Sequence, residues 1–228
     1  MVTALCHSLQ DNLVLTQRAS LDVLIFCCPL SNLPVLYTDA CMLLEAALQC
    51  LLRRDMSLNR RLYSWLLGMD QSKQSSVSSL ESTETPTYFE NHSKQLLVES
   101  LQHMLDTQTE KMPRLHYTSI IEELFPLRIL VSLLDKSEVG PVVIESVLLQ
   151  VFRLLEAAVN RIKSTFQQPH DNEKKNSLIG EVCKTANLLL GVFEPGYIWK
   201  FLSKILFSNY PGCKEKQGGS SLSESCRF

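Results

Sequence analysis

Leu51-Leu52-Arg53-Arg54-Asp55-Met56-Ser57-Leu58-Asn59-Arg60-Arg61-Leu62-Tyr63-Ser64-Trp65-Leu66-Leu67-Gly68 is the stretch that decides the fold class. Leu58, Leu62, Trp65 and Leu66 recur at three- and four-residue intervals, the spacing that collects side chains on one face of a helix. Asp55 or Ser57 stands where a side-chain oxygen would satisfy the first free backbone N–H groups. Gly68 stands where helices end in a left-handed residue. A start, an apolar stripe and a stop therefore predict a short amphipathic helix. The same stretch carries four arginines, Arg53, Arg54, Arg60 and Arg61. Trp65, at helical spacing with the leucines, is expected in the core, and the arginines around it are expected to be largely exposed.

Similar segments follow on both sides. Upstream, residues 12–28 read as a helix with Asp11 as its N-cap and Pro29 as its stop. Residues 37–52 form a second, with Leu43, Leu44, Ala47, Leu48 and Leu51 at helical spacing. Downstream, 71–87 is rich in Ser and Thr, lacks any apolar period and reads as a flexible loop. Helical periodicity resumes over 88–106 and again over 117–134, where Pro126 is expected to kink or split the helix. The longest candidate is 141–166, with Pro141 in its first turn. Its stripe of Val147, Leu148, Val151, Leu154, Leu155, Ala158 and Ile162 is wide enough for internal packing. Residues 167–175 read as a polar loop, then 176–192 and 194–207 complete the series. No segment alternates as a strand would. The expected fold is all-α, a HEAT/armadillo-like stack of antiparallel helices (an α-solenoid), favoured over a compact bundle. The expected organisation is a helical-repeat region at 1–208 containing the 71–87 loop, and a disordered tail at 209–228.

Composition narrows function by exclusion. Among 228 residues only 8 are glycine, few for a loop-rich or all-β chain. A net charge of −2 argues against a bulk nucleic-acid binder, which needs a strongly basic surface. The eight cysteines form no C-x-x-C pair, so they read as reduced, structural thiols that behave as small hydrophobes, as expected in the cytosol. The N-terminus lacks the basic and apolar regions of a signal peptide. The longest apolar run, 21–37, is interrupted by Asp22, Pro29, Asn32 and Pro34, too soon for a membrane span. His7, His92, His103, His116 and His170 are scattered, without H-E-x-x-H spacing. Neither a G-x-S-x-G elbow nor a phosphate-binding glycine loop is present. The chain thus reads as non-enzymatic, with no catalytic residue, cofactor, metal, small-molecule substrate or nucleic acid.

Arg53, Arg54, Arg60 and Arg61 remain as the candidate contact surface. Two readings of them stand side by side. Arginines at this turn can be structural, binding carbonyls at the end of the preceding helix and pairing with Asp55. They can equally form a patch for acidic membrane lipids or an acidic partner segment.

The run L-R-R-D-M-S-L-N-R-R-L-Y-x-W-L-L-G over Leu52–Gly68 resembles a signature of the Dopey proteins. Leu15-Thr16-Gln17-Arg18-Ala19-Ser20-Leu21-Asp22-Val23-Leu24, closed by Pro29, is similar to the helix that precedes it in that family. The resemblance implies a slice from within a long protein's N-terminal, repeat-like region. It further implies a non-enzymatic scaffold in vesicle-mediated transport between endosomes and the trans-Golgi network, cytosolic and peripherally associated with those membranes. The implied partners are an Arf-exchange-factor-like protein and a lipid flippase. Composition alone leaves a second reading open, a generic helical-repeat adaptor, cytoskeletal or regulatory, with no membrane role.

Overall fold

The computed structural model describes residues 1–68, 88–168, 171–193 and 195–209. Among them the chain is helical and contains no strand. Its principal helices are α1 (Val2–Leu9), α2 (Val14–Cys27), α3 (Tyr37–Gln49), α4 (Met56–Leu67), α5 (Lys94–Lys111), α6 (Phe125–Leu134), α7 (Gly140–Thr165), α8 (Asn172–Leu190) and α9 (Pro195–Asn209). Residues 1–192 form one unit, and α9 belongs to a second.

Helix packing in the first unit follows a repeat logic. Each odd-numbered helix lies against the next odd-numbered one: α1 on α3, α3 on α5, α5 on α7. The even-numbered helices make a second layer, in which α2 packs on α4 and α6 on α8. Contacts of α1 with α2, α6 with α7, and α7 with α8 join the layers. An amphipathic helix cannot bury its apolar face alone, so stacking of neighbours supplies the core. That core is mostly leucine: Leu21 and Leu24 of α2, Leu43, Leu44 and Leu48 of α3, and Leu97, Leu101 and Leu105 of α5 are all fully buried or nearly so. On α7 the buried row is Val143, Ile144, Val147, Leu148, Val151, Leu154, Ala158 and Ile162. Leu155 stays half-exposed, because it lies beside the stripe.

Pro126 splits the 117–134 helix as expected. A short turn at Ile120–Glu123 ends before it, and the ring sits in the first turn of α6, where a missing N–H costs little. Boundaries differ from the sequence reading at several points: the helix expected over 88–106 runs on to Lys111, and the one expected over 37–52 ends at Gln49. Helix α1 lies before the first expected helix; it is only 8 residues long, has no side-chain cap and buries only Leu9. Leu9 nevertheless anchors it: its carbonyl accepts from Gln17 Nε2 at 2.9 Å and Cys50 Sγ at 3.5 Å. Asp11 does not cap α2. Its Oδ1 accepts from Leu13 N at 2.8 Å, and the helix begins at Val14. Helix α8 starts at Asn172, so the polar stretch read as a loop over 167–175 contributes its first turn. The expected loop at 71–87 and tail at 209–228 lie outside the described residues, apart from Asn209.

Of the second unit, α9 places the Phe193 and Tyr197 rings in a stack with centroids 6.3 Å apart. Trp199 and Phe207 are exposed along it.

Candidate functional site

Helix α4 is fixed at both ends by the residues its sequence offers. Asp55 Oδ1 accepts from Ser57 N at 2.9 Å, Leu58 N at 3.0 Å and Ser57 Oγ at 2.7 Å. The Ser57 hydroxyl first, with those amides and the charge of Arg18, holds the Asp55 carboxyl down at about 2. Gly68 closes the helix with φ +67°, and a Cβ there would meet the Tyr88 ring at 2.5 Å. Between α3 and α4 a tight turn at Cys50–Arg53 ends in Arg54, whose φ of 55° is positive. A left-handed non-glycine residue costs roughly 1–2 kcal/mol. Here it swings the chain directly into the Asp55 cap.

Trp65 is core: 2% exposed, with Nε1–H donating to the Cys28 carbonyl at 2.8 Å. That bond ties α4 to the end of α2. Tyr63 does the same toward α6, its hydroxyl donating to the Ser132 carbonyl at 2.9 Å. Burial, with the Asp135 charge nearby, raises the Tyr63 hydroxyl to about 12.

The four arginines do not act as one patch. Successive helical residues point about 100° apart, so Arg60 and Arg61 face different neighbours. Arg61 Nε donates to Asp22 Oδ1 at 2.7 Å and its Nη1 to the Ser57 carbonyl at 3.3 Å, pinning α4 to α2. The expectation of exposed arginines therefore fails at Arg61, which is only 20% exposed. Arg53 Nη2 reaches the Asp11 carbonyl at 2.9 Å, on the α1–α2 connection. Asp55 pairs with none of these four; its ion pair is with Arg18, at 3.2 Å.

Arg54 and Arg60 go the other way. Helices α4 and α6 meet through the Tyr63–Ser132 bond and leave two open clefts beside it. One, of about 670 Å³, is lined by Met56, Arg60, Tyr63 and Lys136 among others. Its neighbour, of about 500 Å³, is lined by Leu52, Arg54, Arg128, Val131 and Leu188 among others. Ser132 and Asp135 belong to both. The Lys136 ammonium sits 5.0 Å from the centre of the Tyr63 ring. Arg54, Arg60 and Arg128 are exposed and make no ion pair among the described residues. Arg128 and Lys136 were missed by sequence reasoning, because they lie some seventy positions away along the chain and no motif links them to α4. Arg128 is exposed on α6 and Lys136 lies two residues beyond its end, and nothing in the sequence reveals which element stands opposite them.

Among the described residues no cluster of His, Cys, Asp and Glu is arranged to hold a metal ion. No described helix is long and apolar enough to cross a membrane. Cys28 and Cys50 are buried as expected, and burial pushes the Cys50 thiol up to about 11. Cys27 is exposed, against expectation, because it falls off the stripe on which Leu24 and Cys28 are buried.

Comparison with known proteins settles the family. The model of the Dopey N-terminal domain matches residues 1–71, and that of the DOP1 middle TPR domain matches 88–222. The chain belongs to the Dopey family. Mouse Protein DOP1B is 36% identical over 89% of this chain and 10% of its own length. The Protein DOP1 homolog of Drosophila melanogaster is 34% identical over 90% of the chain and 7% of its own length. Protein dop1 of Emericella nidulans is 36% identical over 69% of the chain and 9% of its own length. The chain thus spans a tenth or less of these Dopey relatives. No solved structure matches it. Residues 1–71 match the N-terminal model, as the sequence resemblance suggested, and residues 88–222 match that of the middle domain. TPR units are stacked helix pairs, the same architectural class as the expected solenoid.

Proposed function

We propose that this Dopey-family segment is part of a non-enzymatic scaffold in vesicle-mediated transport between endosomes and the trans-Golgi network. The observation that carries the reading is family membership across both halves of the chain. Stacked helical repeats support it, since such stacks present extended surfaces to other proteins. The scaffold works from the cytosol, peripherally attached to Golgi and endosome membranes, with an Arf-exchange-factor-like protein and a lipid flippase as partners. Within the segment the contact surface is the part of the arginine region left open, Arg54 and Arg60. Each basic residue near an anionic membrane is worth about 1 kcal/mol, so a few arginines assist attachment, while stable anchoring takes a second signal such as a partner.

The test is recovery of the full-length protein from cells with its bound proteins and membranes. Co-purification with trans-Golgi and endosomal membranes, and with exchange-factor-like and flippase components, is the expected result. Recovery with cytoskeletal or regulatory assemblies and no Golgi or endosomal material would overturn it in favour of a generic helical adaptor.

A further inference from the structure

We infer that the paired clefts on either side of the Tyr63–Ser132 contact are a docking groove for a short acidic, amphipathic segment of a partner protein. The inference deepens the scaffold reading by naming the chemistry of one partner. Arg54, Arg60, Arg128 and Lys136 line the two clefts against a single carboxylate, Asp135. That is a concentrated basic surface on a chain whose net charge is −2. Arg53 and Arg61, equally close in sequence, are consumed by bonds to the α1–α2 connection and to Asp22. The positive charge left free therefore gathers on the α6 side.

Apolar side chains share the same walls. Met56 is 87% exposed and Leu188 65%, with Leu52 and Val131 half-buried beside them. Exposed large apolar side chains beside unpaired cations match a ligand that carries both characters. A helix or extended segment with acidic residues on one flank and aliphatic ones on the other would cover the apolar wall and bring its carboxylates to the cations. The clefts share Ser132 and Asp135, so one segment passes along both. A flat lipid surface fits less well, because these side chains line recesses, one between α4 and α6 and the other among α6, α8 and the turn before α4.

The test uses the purified chain and a fluorescein-labelled peptide of alternating Glu and Leu pairs, read by anisotropy. A Lys/Leu peptide of the same length and phosphatidylserine vesicles are the comparison probes. Binding of the Glu/Leu peptide alone is expected, weakening as salt rises. Loss of one exposed ion pair weakens binding by about two- to fivefold, so Arg54→Ala with Arg60→Ala should cost roughly 4- to 25-fold. Arg128→Ala should add to it. Arg153→Ala, on an exposed position of α7, should change nothing. Circular dichroism of each variant confirms the fold, and Lys136→Gln gives an independent check if a double variant unfolds. Equal binding of Glu/Leu and Lys/Leu peptides, unchanged affinity in the folded groove variants, or binding of vesicles without the peptide would each overturn the proposal. None of these outcomes bears on recovery of the full-length protein with Golgi membranes, so the two readings fail separately.

Discussion

Replacing Trp65 with Ala should be among the most damaging single changes in the first four helices. The side chain is 2% exposed, and its N–H satisfies the Cys28 carbonyl where α2 ends. Deleting a buried Trp side chain typically costs about 3–5 kcal/mol, from lost apolar burial and the cavity left behind. For a domain of this size each kcal/mol lowers Tm by about 2–4 °C, so the expected fall is roughly 6–20 °C. Trp65→Phe separates the two contributions. It keeps most of the ring but orphans the buried carbonyl, at about 1–3 kcal/mol, or roughly 2–12 °C. Arg60→Ala is the control: an exposed side chain without an ion pair among the described residues should shift stability by less than about 0.5 kcal/mol. Thermal melts followed by far-ultraviolet circular dichroism read all three. A Trp65→Ala melt close to wild type, or an Arg60→Ala shift of equal size, would refute the assignment of Trp65 to the core and Arg60 to the open cleft.

Other substitutions test the joints of the same helix. Gly68→Ala forces a Cβ into a left-handed residue, at about 1–2 kcal/mol, and against the Tyr88 ring; urea unfolding should show a loss at least that large, and no loss would contradict the packing of Tyr88 on Gly68. Asp55 has a folded pKa of about 2, below its ordinary 3.8, so its stabilisation is complete above 3.8 and lost as pH falls towards 2. The stability gap between wild type and Asp55→Ala should therefore shrink on acidification from pH 5 to pH 2; a gap that widens would contradict the capping assignment. Arg61→Ala removes a partly exposed ion pair to Asp22 and should cost up to about 1 kcal/mol, reproduced by Asp22→Ala and not doubled in the double variant. Full additivity would mean that the two residues act separately.

Much of the fold was legible because leucine spacing, prolines and caps are local signals. Leu58, Leu62, Trp65 and Leu66 fall on one side of a helix whatever surrounds it, and Asp55 and Gly68 mark ends that need no tertiary context. Asp11 misled, since an Asp bonded to an amide two residues on looks the same in sequence as an N-cap. Helix α1 escaped because its stability comes from Leu9 in the core and its carbonyl contacts to Gln17 and Cys50, which are long-range. The candidate site was half legible. The sequence displays four arginines together, but which of them are consumed depends on Asp11 and Asp22, some forty positions away. Arg128 and Lys136 join Arg54 and Arg60 only because α6 lies beside α4 in the stack.

The most direct test of the account compares two pairs of arginines in a full-length Dopey protein, at the positions matching this chain. Arg54→Ala with Arg60→Ala removes cations from the clefts, whereas Arg53→Ala with Arg61→Ala removes bonds internal to the fold. Partner recovery and association with Golgi and endosomal membranes are measured for each, alongside thermal stability of the corresponding segments. The cleft pair should lower recovery while leaving the melting temperature near wild type. The internal pair should lower the melting temperature and leave recovery intact at permissive temperature. Unchanged recovery in a folded cleft variant would contradict the account and place the contact surface elsewhere.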